Sequence, residues 1–103
     1  MEREQLRLTS LYALESICDQ LLTMGRHAQA SAAAMAAVHS EPLRESAHRA
    51  LIRVCLAEGN ASEALRQYHT YAALLRDELG LVPSELMRDL VSALSAAGRR
   101  RHD

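Results

Sequence analysis

The residues best suited to chemistry in this chain are two cysteines, Cys18 and Cys55, and five histidines at positions 27, 39, 48, 69 and 102. A zinc site needs three or four such ligands in one place. Only His48 and Cys55, seven residues apart on one helical face, share a useful spacing, and no two histidines stand four apart. Two ligands do not make a site, so these side chains read as core or surface residues. Nor is there a glycine-rich phosphate loop, an HExxH run or a nucleophile elbow. The expectation is therefore a protein that is not an enzyme and holds no metal or cofactor. The cysteines lie inside apolar helical patterns without CxxC spacing, as reduced, packed thiols of a cytoplasmic protein would.

Charged residues remain. Tyr12, Glu15 and Asp19 fall on one face of a first helix, and Ser46, Arg49 and Arg53 on one face of a third, with Arg88 on a fifth. If these helices stack side by side, an acidic strip faces a basic one. Such a pair of strips is either a partner groove for a peptide or a set of interhelix ion pairs that closes the groove. Glu45 stands four residues before Arg49, where it can pair with that arginine within its own helix for a few tenths of a kcal/mol.

The elements that must position these residues are helices. At 103 residues the chain is one domain at most, rich in Ala and Leu, with no Phe or Trp and few β-branched residues. Arginine supplies all 12 basic charges against 13 acidic ones, a net charge of −1, which argues against direct nucleic-acid contact. The one basic run, Arg99-Arg100-Arg101, reads as a solvated tail. No signal peptide or membrane-length apolar stretch is present, so no membrane association is expected.

Helix one spans about Arg3 to Met24 with Leu11, Leu14, Cys18 and Leu21 inward, and Gly25 ends it. Helix two, about His27 to Val38, is alanine-rich, so a neighbour can approach it closely. Pro42 suits the first turn of helix three, which runs to about Glu58. Helix four opens on Asn60 as cap, with Glu63 placed to complete a capping box, and closes on Gly80 before Pro83. Helix five covers about Ser84 to Ala97, and Gly98 is expected to end it.

Gly25 and Gly59 are 34 residues apart, the length of a tetratricopeptide repeat. Ala30 and Ala64, and Ile17 and Leu51, correspond at that offset, as do Ala34 and Tyr68. The expected architecture is all-α, a five-helix, tetratricopeptide-like, right-handed stack of helical hairpins. Residues 1–10 extend helix one, 11–97 form the stack and 98–103 a basic tail. The second unit overruns the period, because the counterpart of Pro42 is Arg76 and its helix continues to Leu79.

That overrun carries a resemblance. Pro42-Leu43-Arg44-Glu45, the segment Gly59…Glu63-Ala64-Leu65…Tyr68, and above all Leu75…Glu78-Leu79-Gly80…Pro83 resemble the bacterial transcriptional activator domain of the antibiotic regulatory protein family. Leu21-Leu22…Gly25-Arg26…Ala30 extends the likeness upstream. The resemblance implies a module for protein contacts and dimerisation in transcriptional regulation, which in that family follows a winged-helix DNA-binding domain. Some ten residues precede the repeats here, too few for a winged helix, so the chain is expected to lack a DNA-binding domain of its own. The expected partner is a protein, RNA polymerase or a full-length regulator. The competing reading is a helical scaffold or adaptor unrelated to transcription.

Short stacks leave an apolar end face uncovered. Helix five carries Leu86 and Leu90 along one line and Met87, Val91 and Leu94 along another, and helix four adds Leu74. These six residues are the candidate surface for a homodimer, the alternative being that helix five caps the stack.

Overall fold

Small side chains and glycine stops set the architecture. A computed structural model describes the backbone of residues 2–102 and the side chains of residues 3–94. Five helices follow in order, α1 (Glu2–Thr23), α2 (His27–Ser40), α3 (Glu45–Ala57), α4 (Ala61–Leu79) and α5 (Glu85–His102), with no strand among the described residues. Each packs on the next, and α1 also packs on α3, so the chain is an all-α helical stack.

The 34-residue period is visible in the backbone. Gly25 and Gly59 both adopt φ +74°, a left-handed conformation that suits glycine. In each turn the glycine amide donates to the carbonyl three residues back, Leu22 or Leu56, at 3.0 Å. The following amide donates five back, Arg26 to Leu21 at 2.9 Å and Asn60 to Cys55 at 2.8 Å. This pair of bonds is a Schellman motif, and it satisfies carbonyls that a helix end otherwise leaves open.

Packing follows the same register. Cys18, Ala30, Ala33, Ala34, Ala50, Leu51 and Val54 form a cluster between α1, α2 and α3. Ile52, Cys55, Ala64, Tyr71, Leu75, Met87 and Val91 form another between α3, α4 and α5. Leu11, Ala37 and Ala47 join α1, α2 and α3 at the other end of the first hairpin.

Three expectations about helix ends are corrected. Pro42 does not open helix three: Pro42 and Leu43 form a turn closed by the Arg44 amide on the Glu41 carbonyl at 3.0 Å, and α3 begins at Glu45. Gly98 does not end helix five. The helical backbone runs through it to His102, since an isolated glycine costs only about 1 kcal/mol in a helix and no proline follows. Asn60 does cap α4, its Oδ1 accepting from the Glu63 amide at 3.3 Å. The return bond of the capping box is missing, because the Asn60 amide is already committed to Cys55; Glu63 instead accepts from Gln67 at 3.1 Å.

Candidate functional site

The densest polar arrangement lies where α3, α4 and α5 meet. Glu45 opens α3, and its carboxylate reaches across to the residue before α5. The Ser84 amide donates to Glu45 Oε1 at 3.0 Å and the Ser84 hydroxyl donates to Oε2. The Tyr71 hydroxyl adds a longer bond to Oε1 at 3.4 Å, and Arg49 Nη1 lies 3.6 Å from Oε2. Ser84 also caps α5, its hydroxyl oxygen accepting from the Met87 amide at 3.2 Å. One carboxylate therefore fixes the start of α5 against α3.

Electrostatics agree with the geometry. Burial alone would raise the Glu45 carboxyl, but the Ser84 bonds, the Tyr71 hydroxyl and the Arg49 charge together hold it below its ordinary value. Tyr71 is pushed up to about 12, first by burial and then by the Glu45 charge. Beside them His48 is buried, with its ring 4.5 Å from that of Tyr71. His48 Nε2 lies 2.6 Å from the Pro42 carbonyl. A carbonyl can only accept, so the proton sits on Nε2, and Nδ1 is left buried without a partner. Burial holds the His48 pKa below 6.5 despite the Pro42 bond and the Glu45 charge.

The charged strip is only partly assembled. Glu15 pairs with Arg44 and not with Arg49: Arg44 Nε stands 2.7 Å from Glu15 Oε2, and its guanidinium lies 4.8 Å over the Tyr12 ring. Arg44 caps α3 in an extended conformation, which swings its side chain toward α1. The Glu15 bond raises the Arg44 pKa further. Arg49 turns to Glu45 in its own helix. Asp19 and Arg53 are exposed and form no ion pair among the described residues, Ser46 is half-buried, and Arg88 is exposed. None of these seven residues lines the cavity of about 250 Å³ between α2, α3 and α4, whose walls include Met35, Leu51, Cys55 and Glu63.

The six apolar residues of the candidate dimer surface divide. Met87 and Val91 are buried in the core that α5 shares with α3 and α4, and Leu90 and Leu94 pack against that core. Leu74 is half-buried. Leu86 alone is well exposed, at 58%. It does not stand by itself, because Leu79, Leu81 and Val82 in the preceding turn are 54%, 55% and 73% exposed. Sequence periodicity missed Leu81 and Val82, since residues outside a helix carry no face assignment, and so did not join them to Leu79 at the end of α4 and Leu86 at the start of α5; the signal available was four bulky apolar residues around Gly80 and Pro83.

Both cysteines are free and buried, and burial is the first cause that raises each thiol pKa. A raised thiol is a poor nucleophile and a poor metal ligand. No group of three metal-ligating side chains comes together among the described residues, and no described helix is long and apolar enough to cross a membrane.

Residues 1–95 match the family model described as the bacterial transcriptional activator domain. The chain is also 34% identical over 89 residues to Regulatory protein AfsR of Streptomyces coelicolor. The aligned stretch is 86% of this chain and 9% of that protein, so the chain spans less than a tenth of the length of this curated relative. No solved structure matches the chain significantly.

Proposed function

The chain belongs to the bacterial transcriptional activator domain family, and on that premise we propose that it acts as a protein-interaction module of a transcriptional regulator in the bacterial cytoplasm, without catalysis or DNA contact of its own. The observation that carries this reading is the apolar turn between α4 and α5. Leu79, Leu81, Val82 and Leu86 expose more than half of their surface within eight residues. Exposed bulky apolar residues gathered in one short segment, unlike single exposed ones, are a feature of interaction sites.

The turn is also held in shape. Gly80 closes α4 with φ +65° and a bond from its amide to the Arg76 carbonyl at 2.9 Å. Pro83 is buried, and Ser84 is bound to Glu45. A preorganised turn loses little conformational freedom on binding, which leaves more of its apolar contact as affinity. Away from the turn, the exposed charges Asp19, Arg53 and Arg88 form no ion pair among the described residues and would set specificity more than strength.

The test is binding of the chain to purified bacterial RNA polymerase and to a full-length regulator of the family, followed by biolayer interferometry. Leu81→Asp with Val82→Asp should weaken binding to the true partner at least tenfold while the circular dichroism spectrum stays unchanged. Arg53→Glu should give a smaller loss that shrinks in high salt. Failure of the wild-type chain to bind either protein, or full binding by the double variant, would overturn the reading.

A further inference from the structure

The cavity of about 250 Å³ where α2, α3 and α4 meet takes no part in the apolar turn, and its shape follows from the packing. α2 and α4 each pack on α3 and scarcely on each other, so one face of α3 floors a cleft between them. All three walls are internal helices of the chain. Along each wall the lining residues recur at helical spacing: Ser31 and Met35 on α2, Leu51 and Cys55 on α3, Glu63 and Gln67 on α4.

The cleft is apolar at its floor and acidic at its rim. Leu51 and Cys55 are each 8% exposed, and Met35, at 44%, adds an adaptable thioether wall. The Cys55 thiol bonds no other residue among those described, so the floor holds an unpartnered polar group. Glu58 caps the end of α3 and Glu63 stands in the first turn of α4, while no lining residue is a cation. Glu58 forms no ion pair among the described residues. Arg66 lies 3.3 Å from Glu63 but is 73% exposed, a surface pair of little strength. Both carboxylates act on the floor: the Cys55 thiol pKa is raised first by burial and then by the Glu63 and Glu58 charges.

We propose that this cleft receives an arginine side chain of a partner protein, its stem along Met35, Leu51 and Cys55 and its guanidinium at the Glu58 and Glu63 carboxylates. Size selects a single side chain, since the volume lies below the roughly 300–1,000 Å³ of sites that enclose small-molecule ligands. An apolar floor beneath an acidic rim matches a methylene stem that ends in a positive charge. Arginine fits better than lysine because acceptors outnumber what an ammonium can use. Besides the carboxylates stand the Ser31 hydroxyl and the carbonyl oxygen of Gln67, whose amide group donates to Glu63 at 3.1 Å. A guanidinium presents five N–H donors and is more weakly hydrated than an ammonium. The inference rests on the reading of the chain as an interaction module, to which it adds a second point of attachment, and shares no residue with the turn that carries that reading.

The test is a nuclear magnetic resonance titration of the isotope-labelled chain with a blocked tripeptide, acetyl-Gly-Arg-Gly-amide. The backbone amide signals of Met35, Cys55 and Glu63 should shift and saturate with a dissociation constant of about a millimolar, as befits one side chain. The same peptide with citrulline, the uncharged isostere of arginine, should bind at least tenfold more weakly, and the lysine and leucine peptides at least threefold and tenfold more weakly. Glu58→Gln with Glu63→Gln should weaken the arginine peptide at least tenfold with the circular dichroism spectrum unchanged, whereas Leu81→Asp with Val82→Asp should leave its binding unaltered. Absence of saturable shifts at these amides overturns the proposal. So does equal binding of the citrulline, lysine or leucine peptide, undiminished binding by the glutamine variant, or loss of binding in the turn variant. Peptide binding by a chain that captures neither RNA polymerase nor a full-length regulator would sink the apolar-turn reading and support this one.

Discussion

The interfaces of the two hairpins sit 34 residues apart and are filled by opposite means. In the first, Cys18 packs with Ala30 and Ala34, and Ala37 lies with Leu11 toward the hairpin's other end; in the second the positions equivalent to Cys18, Ala30, Ala34 and Ala37 are Ile52, Ala64, Tyr68 and Tyr71. Three of the four positions are buried in both hairpins, Tyr68 being the partly exposed exception. Register thus selects which residues face inward, and side-chain size then decides what else the interface must contain. Alanines need no further partner. Tyr71 brings a hydroxyl into the core, and a buried hydroxyl without a partner is costly. Glu45 answers it, and in doing so is placed to bind Ser84 and hold α5.

Removing that carboxylate should have the largest effect. Glu45→Ala deletes the acceptor for Ser84 and Tyr71 and leaves Arg49 without its ion pair. A loss of about 3 kcal/mol is expected from hydrogen bonds to a charged group, read by urea unfolding. The equivalent position in the first hairpin is Leu11, which serves as plain core, so the two units are not interchangeable here. A loss below about 1 kcal/mol would mean that Glu45 does not organise the junction.

Transplanting the second interface into the first is the next test. Ala37 is fully buried, and Ala37→Tyr places there the residue that stands 34 positions later. With no room and no carboxylate to accept its hydroxyl, the variant should lose about 2 kcal/mol through overpacking. A neutral result would show that the first hairpin can widen to the spacing of the second, and would erase the distinction drawn between them. A smaller effect is expected at the turn that follows. A Cβ at position 80 meets no neighbouring atom within 4 Å, so the expected cost of Gly80→Val is backbone strain at φ +65°, about 1–2 kcal/mol. Because this turn presents Leu81 and Val82, the same variant should weaken partner binding; unchanged stability and binding together would discredit the role assigned to the Gly80 cap.

Helix number, approximate limits and the period were legible in the sequence because glycine stops and alanine faces are local signals. The inward positions of α1 followed from spacing alone, whereas the two apolar lines of α5, both assigned to a candidate dimer surface, were not separated by spacing: Met87 and Val91 are buried and Leu86 is exposed. What was not legible depends on contacts between distant residues or on capping that competes for one group. Glu45 reaches Ser84 across 39 residues, and Arg44 reaches Glu15 across 29, neither at the repeat offset. The capping box at Asn60 failed because its amide was needed by the preceding helix. The charged strip suffered in the same way: the register suggested Glu15 opposite Arg49, while the extended Arg44 at the start of α3 reached Glu15 first and Glu45 retained Arg49.

The smallest effect is one of pH, and it too separates the two hairpins. His48 of the second unit corresponds to Leu14 of the first, so only one interface carries a group that titrates near neutrality. Its pKa is held below the ordinary 6.5 by burial, against the opposing pull of the Pro42 carbonyl and Glu45; Tyr71 is the other titratable ring against it. Between the folded pKa and 6.5 the unfolded chain binds more protons than the folded one, so stability is complete above 6.5 and declines as the pH falls through that window. Glu45 adds a loss of the same sign below its ordinary 4.5, since its folded pKa is also lowered. Tyr71, raised to about 12, acts at the other end, where its contribution fades as pH rises from 10. Melting temperatures measured from pH 8 to pH 5 isolate the histidine. His48→Leu, which installs the residue of the first hairpin, should flatten that slope while lowering the pH 8 value slightly through loss of the Pro42 bond. If the slope persists in His48→Leu, the acid sensitivity arises outside this interface, and the junction of α3, α4 and α5 does not differ from the alanine-packed hairpin in the way its buried ring requires.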